Sequence, residues 1–159
     1  RRGDFFESWN ERAFARSTGL AVRFVQDNQS CSVRNVLRGI HYQVVRPQGR
    51  PVRVVEGAVL DVAVDLRRSS PTFRRWVSAE LSAENRRQVW IPPGFGHGFL
   101  VLSEAATFLY KATEYWIAEH DRSVRWNDPQ LAIDWGVGAP ILADRDAGAP
   151  LLADAEVFP

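Results

Sequence analysis

The sequence of 159 residues is poor in several residue types, and each shortage excludes something. A single cysteine, Cys31, rules out an internal disulfide, so the fold does not depend on an oxidising compartment and a cytoplasmic protein is expected. Apolar runs such as Gly98-Phe99-Leu100-Val101-Leu102 are far too short to span a bilayer, so no membrane association is expected. The opening Arg1-Arg2-Gly3-Asp4 is followed by no apolar core of the kind a signal peptide carries. Methionine is absent altogether, which leads us to expect that the natural start, and residues after Pro159, lie outside this sequence. Charge of one sign is also lacking. Twenty basic against nineteen acidic side chains leave a net charge of +1, with no basic stripe to suggest a nucleic-acid partner. A few placed arginines could still bind an anionic small molecule.

What is present is a globular composition, 45% hydrophobic and 25% charged, at a length that suits one domain over residues 1–159. Period-two alternation dominates. Val52 to Leu66 reads as two strands hinged near Gly57, and Asp61-Val62-Ala63-Val64-Asp65-Leu66 alternates polar and apolar as a half-buried strand does. Further strands are predicted at 21–26, 36–43, 74–80, 87–91, 98–102 and 106–115, and short helical turns at 9–16 and 118–122. Asn127-Asp128-Pro129 and residues 136–140 read as turns, and residues 143–156 as an exposed acidic, Ala-rich tail. Many short strands separated by turns point to an all-β sandwich or jelly-roll barrel with a few short peripheral helices. No internal repeat or low-complexity segment interrupts this pattern.

Histidines are equally scarce, at three, and two have informative settings. On a strand over 36–43, His41 shares a face with Gly39 and Gln43 while Arg38 points away, unless a bulge at Gly39 re-aims it. His97 follows a Pro/Gly turn in Ile91-Pro92-Pro93-Gly94-Phe95-Gly96-His97-Gly98-Phe99, where the crowded glycines mark a close approach to the backbone. Pro92-x-Gly94-x-x-His97 is similar to the second motif of the cupin superfamily of small jelly rolls. The His-x-His of metal-binding cupins reads His41-Tyr42-Gln43 here, and two imidazoles alone make a poor metal site. From the residues alone, His41 can be either a hydrogen-bonded core group or a base. His120 sits among charges in a loop, Tyr110 and Trp116 read as strand aromatics that share a face, and Asp144-Arg145-Asp146 reads as a solvated surface pair.

The motifs as an ordered set resemble the dTDP-4-dehydrorhamnose 3,5-epimerase family across nearly the whole chain. They are Arg2-Gly3-Asp4-Phe5-Phe6-Glu7, Phe24-Val25-Gln26-Asp27-Asn28-Gln29-Ser30, Val36 to Gln43, Asp61 to Arg67, Ser70-Pro71-Thr72-Phe73, Leu81 to Asn85, Ile91 to Phe99, Leu109-Tyr110-Lys111, Trp126 to Pro129 and Asp144-Arg145-Asp146. The resemblance implies a cupin-like jelly roll that epimerises a dTDP-linked 4-keto-6-deoxy sugar at C3, C5 or both, with no metal or redox cofactor. It implies His41 as base, Asp146 as the carboxylate that orients its imidazole, and Tyr110 as the acid on the opposite face. Arg50 is implied to stabilise the enolate, where the family usually has lysine, after a Gln43–Gln48 loop one residue shorter. Arg38 and His97 match diphosphate-binding positions, Gln26 and Asn28 positions near sugar and nucleotide, and Arg145 completes the binding set. Trp116 stands where the family often has a tyrosine that stacks on the base. Arg2, Phe5 and Glu7 match a segment donated across a homodimer into the neighbouring site. Relatives that invert only C3 or only C5, nucleotide-sugar ketoisomerases and a non-catalytic cupin that binds a ligand are the alternatives.

Overall fold

A computed structural model describes residues 2–159. The chain enters through an extended segment into α1 (Glu11–Thr18), whose Asn10 side chain caps the Ala13 N–H at 3.0 Å and whose end turns at the left-handed Gly19. Nine strands follow: β1 (Gln26–Val33), β2 (Leu37–Gln43), β3 (Arg50–Glu56), β4 (Ala58–Asp65), β5 (Trp76–Ser82), β6 (Gln88–Ile91), β7 (Phe95–Val101), β8 (Ala105–Ala112) and β9 (Asp121–Ser123). A one-turn helix, α2 (Asp144–Ala147), lies near the C-terminus. The strands form two antiparallel sheets, ordered β1-β8-β3-β6 and β5-β4-β7-β2-β9, and the chain crosses repeatedly between them. This is the all-β, jelly-roll architecture expected from the alternation.

Alternation also divides each strand between two environments. Val52, Val54, Val59, Ala63, Leu81, Ile91, Phe99, Val101, Ala106 and Phe108 fill the space between the sheets, with Phe99 of β7 stacked on Phe108 of β8 at 4.3 Å. The opposite residues of the five-stranded sheet, among them Leu37, Ile40, Tyr42, Val62 and Val64, form a second core on its outer face. That outer core is closed by Leu131, Ile133, Trp135, Leu152, Ala155 and Phe158. The region predicted to be an exposed tail is therefore a cover. Asp146, Ala149, Leu152 and Ala155 within 143–156 are all buried, because the sheet's outer face is apolar and this region, with Leu131, Ile133 and Trp135, covers it.

Several boundaries differ from expectation. No strand forms at 21–25; β1 begins at Gln26 and runs through Gln26-Asp27-Asn28-Gln29-Ser30. These residues have weak strand preference, but full pairing with β8 from Gln26–Ala112 to Val33–Ala105 holds them extended. β8 ends at Ala112, so Tyr110 and Trp116 do not share a strand face. The helical turn at 118–122 shortens to 118–120 and passes directly into β9.

Candidate active site

One half of the space between the sheets is packed with apolar side chains; the other half carries polar ones. The irregularity that arranges them lies in β2. Leu37 and Arg38 pair with Leu100 and Phe99 of β7, but His41 pairs with His97, so the register slips by one residue between Arg38 and His41. A slip of one reverses the facing of every later side chain. Arg38 and His41 consequently both face inward, while Leu37, Ile40 and Tyr42 face the outer core. Glycine permits it: Gly39 has φ of 134°, and a Cβ there would lie 2.5 Å from the Gly98 Cα. The glycines around His97 thus admit the neighbouring strand β2.

His41 is half-buried, and its Nε2 lies 2.5 Å from Oδ1 of Asp146, whose side chain is 3% exposed. The two are 105 positions apart in sequence, and α2 delivers the carboxylate from the C-terminal cover. Asp146 is therefore not half of a solvated surface pair with Arg145, as the local sequence suggested. A second pair lies beside the first: His97 Nε2 is 2.7 Å from Oδ2 of Asp61, both buried, with the His97 ring stacked on Phe108 at 5.8 Å. Asp61 went unassigned in the sequence, although its inward parity on a strictly alternating strand was a usable signal.

Tyr110 faces the same space from β8 of the opposite sheet, between Asn28 of β1 and Val52 of β3. The Arg50 guanidinium lies 5.5 Å from the Tyr110 ring centre. Its Nε and Nη2 donate to Gln48 Oε1 at 3.2 and 2.8 Å, and Gln48 Nε2 in turn donates to the Glu114 carbonyl at 2.7 Å. Burial lowers the Arg50 pKa, while Tyr110 and Asp121 nearby act in the opposite direction. A cation is thus held in a dry place.

The mouth is built from both sheets. Arg38 remains exposed, its Nε donating to Ser32 Oγ at 3.0 Å. Gln26 donates from Nε2 to Asn28 Oδ1 at 2.9 Å and accepts the Trp116 backbone N–H at 3.0 Å. Trp116 Nε1 donates to Asp121 Oδ2 at 3.1 Å, and Arg145 Nη1 meets that same oxygen at 2.6 Å. Gln43 fastens the strand ends, donating to the Arg46 and Tyr115 carbonyls and accepting the Ile117 N–H. Gln43, Gln48, Asp61 and Asp121 are the site residues that sequence reasoning missed.

Three expected site residues are not brought to this place. Arg2, Phe5 and Glu7 are exposed. Their segment is tied to the far edge of the four-stranded sheet, where Asp4 pairs with Arg86, Phe6 lies 4.6 Å from the Arg86 guanidinium and the Ser8 carbonyl accepts from Gln88. Cavities of about 160 and 410 Å³ lie between that segment, α1 and the four-stranded sheet, both lined by Trp9, Pro51 and Gln88, and the smaller also reaches Asn28 of β1 and Tyr110 of β8. His41, Asp146 and Arg50 do not line them.

Among the described residues, no three His, Cys, Asp or Glu side chains are grouped to hold a metal ion. Each inward imidazole already has a carboxylate on one nitrogen. Nor, among the described residues, is any helix long and apolar enough to cross a membrane.

Comparison with known proteins places the sequence and the fold. The family model for dTDP-4-dehydrorhamnose 3,5-epimerase matches residues 1–154. This chain belongs to that family. It is 58% identical over 159 residues to the dTDP-4-dehydrorhamnose 3,5-epimerase of Pseudomonas aeruginosa, covering 99% of this chain and 88% of that one. It also superposes on the crystal structure of the dTDP-6-deoxy-D-glucose-3,5-epimerase of Legionella pneumophila in complex with dTDP-4-keto-L-rhamnose. That match has a TM-score of 0.93 and 51% identity, and covers 96% of this chain and 82% of the other. A dTDP-4-dehydrorhamnose 3-epimerase of Streptomyces niveus is 43% identical over 146 residues, covering 91% of this chain and 70% of that enzyme. Within the dTDP-4-dehydrorhamnose 3,5-epimerase family, then, similar sequences carry names for both two-centre and one-centre inversion.

Proposed function

We propose that this member of the epimerase family inverts a dTDP-linked 4-keto-6-deoxy sugar at C3, C5 or both, in deoxysugar biosynthesis, with residues 1–159 working as one unit. The observation that carries the reading is the His41–Asp146 pair, facing Tyr110 across the space between the two sheets. The C4 ketone acidifies the hydrogens on both neighbouring carbons, and inversion needs a base on one side and an acid on the other.

Asp146 accepts the Nε2–H of His41, which leaves the Nδ1 lone pair as the base. When Nδ1 takes the proton, the bonding pair passes into an enolate on the C4 oxygen. The Arg50 cation is suited to stabilise that charge, because little water competes with it. Tyr110 then donates its hydroxyl proton to the carbon from the opposite side, the ketone re-forms, and exchange with solvent resets both groups. Arg38 supplies positive charge for the diphosphate, with His97 beside it held by Asp61, and with Gln26, Asn28, Trp116 and Arg145 around sugar and nucleotide.

Arg2, Phe5 and Glu7 have no task in the chain's own site. We assign them to the site of a second copy in a homodimer. The complete exposure of Phe5 supports this, since burying such a ring contributes about 1.5–3 kcal/mol. A cytoplasmic setting goes with the reading, because a fold with one cysteine depends on no disulfide.

The test is incubation with dTDP-4-keto-6-deoxyglucose in deuterated water, followed by NMR. Deuterium at C3, C5 or both with the ketone still at C4 is the expected result, and the labelled positions name the inverted centres. Migration of the carbonyl to C3 would make the protein a ketoisomerase. Binding without exchange would make it a non-catalytic relative.

A further inference from the structure

The shortest strand in the fold is β9, three residues on the open edge of the five-stranded sheet. It pairs with β2 so that Ser123 stands opposite His41 and Asp121 opposite Gln43. Asp121 therefore faces the same side as His41, two residues along. Its carboxylate is 11% exposed, and one oxygen, Oδ2, takes both the Trp116 indole N–H and the Arg145 guanidinium.

Both partners matter to the site for separate reasons. Trp116 is anchored on its other side by Gln26 of β1, the edge strand of the opposite sheet. Trp116 thus links the outer strands of the two sheets at the mouth, through its backbone N–H on the Gln26 side and its indole N–H on the Asp121 side. Arg145 immediately precedes Asp146 on α2, a helix of four residues that has no stability of its own and depends on tertiary contacts. Without Asp121, Arg145 keeps, among the described residues, only a 3.5 Å bond to the Arg122 carbonyl, and the start of α2 loses its ion pair.

We propose that Asp121 is a positioning residue for the epimerase site, setting Trp116 at the mouth and α2 behind the base through one carboxylate oxygen. The proposal rests on the assignment of His41 and Asp146 as the base pair. An exposed ion pair of this kind would contribute little. Here the Asp121 carboxylate is withdrawn from water, although Arg145 and Trp116 are about half exposed, and one oxygen takes both donors, so its loss bears on two elements at once.

The experiment is a double-mutant cycle of D121N and W116F, read as KM, as dTDP affinity and as the ratio of deuterium entering C3 and C5. D121N is expected to raise KM about tenfold and to change that ratio. W116F added to D121N should cost little more than D121N alone, because an amide that no longer pairs with Arg145 no longer fixes its oxygen against the indole. D121E should recover most of the loss, and it stands in as the test if D121N fails to fold. Additive effects of the two substitutions within about twofold, or a D121N enzyme with wild-type KM, dTDP affinity and labelling ratio, would overturn the proposal. A wild-type enzyme that incorporates no deuterium would instead overturn the base assignment, and the dTDP-affinity arm of the cycle still judges the coupling of Asp121 to Trp116.

Discussion

His41 has two ring nitrogens with different neighbours, and that difference fixes what each substitution should do. Asp146 occupies Nε2, so in the proposed mechanism the reacting proton goes to Nδ1. His41→Ala should abolish deuterium exchange at both carbons while dTDP affinity stays within a few-fold, since the base is not the nucleotide's ligand; surviving exchange would mean that another group takes the proton. Asp146→Asn keeps the shape but removes the charge that stabilises the imidazolium, and kcat should fall by about 10²–10⁴. In the proposed mechanism Tyr110 acts later in the sequence of steps. Tyr110→Phe should slow inversion more than exchange, because deprotonation and return of a proton to the same face need no hydroxyl. Equal loss of both rates would place the acid elsewhere. Each of these residues was named from the sequence through motif resemblance, not through local chemistry. His41 alone allowed a structural reading, and Asp146 looked like a surface charge, because nothing local announces a contact across 105 positions.

At the scale of elements, the crossing of β2 and β7 is where geometry is least forgiving. Gly39→Ala places a Cβ against backbone at a positive φ, and neither strand can yield without moving its sheet. It should cost about 2–4 kcal/mol in chemical denaturation, where Gly136→Ala, also at positive φ but with open space around it, costs about 1. The turn after β4 gives a pH signature. Burial raises the Asp65 pKa, but hydrogen bonds from Arg67, Ser70 and Thr72 and from the Arg67 backbone N–H outweigh it and hold the group below the ordinary carboxylate range. The stability from these bonds is present above the unfolded value, near pH 4, and is lost as pH falls further. Asp65→Asn should therefore destabilise at neutral pH by about 1–3 kcal/mol and flatten the acid limb of a stability–pH curve. An unchanged acid limb would mean that other carboxylates set it. Strand existence was legible from alternation, as the hinge at Gly57 shows. The polar strand β1 was not, because its extended form comes from pairing with β8 and not from its own residues. The one-residue slip at Gly39 could be named as a possibility in the sequence, and only the register shows that it occurs.

For the whole molecule, the N-terminal segment poses the largest question, because it lies at the edge opposite the one where its own site opens. In the four-stranded sheet β6 and β1 are the two outer strands; Asp4 to Ser8 lie along β6 before Trp9 crosses toward β8, whereas Trp116 and Gln26 mark the mouth at β1. Under the proposed assignment the segment serves another copy's site, and a two-fold dimer would give each site one such segment. Complementation tests this directly. An H41A protein retains a good segment and has a dead site, whereas an F5A/E7A protein retains a good base and offers a poor segment. Each should be nearly inactive alone. Refolded together, the mixed dimers carry one site with an intact base and an intact donated segment, so about a quarter of wild-type activity should return. If F5A/E7A is fully active alone, the segment has no role in catalysis. If the mixture gains nothing although mixed dimers form, each chain uses its own segment, and the arrangement seen along β6 is not the one that catalyses.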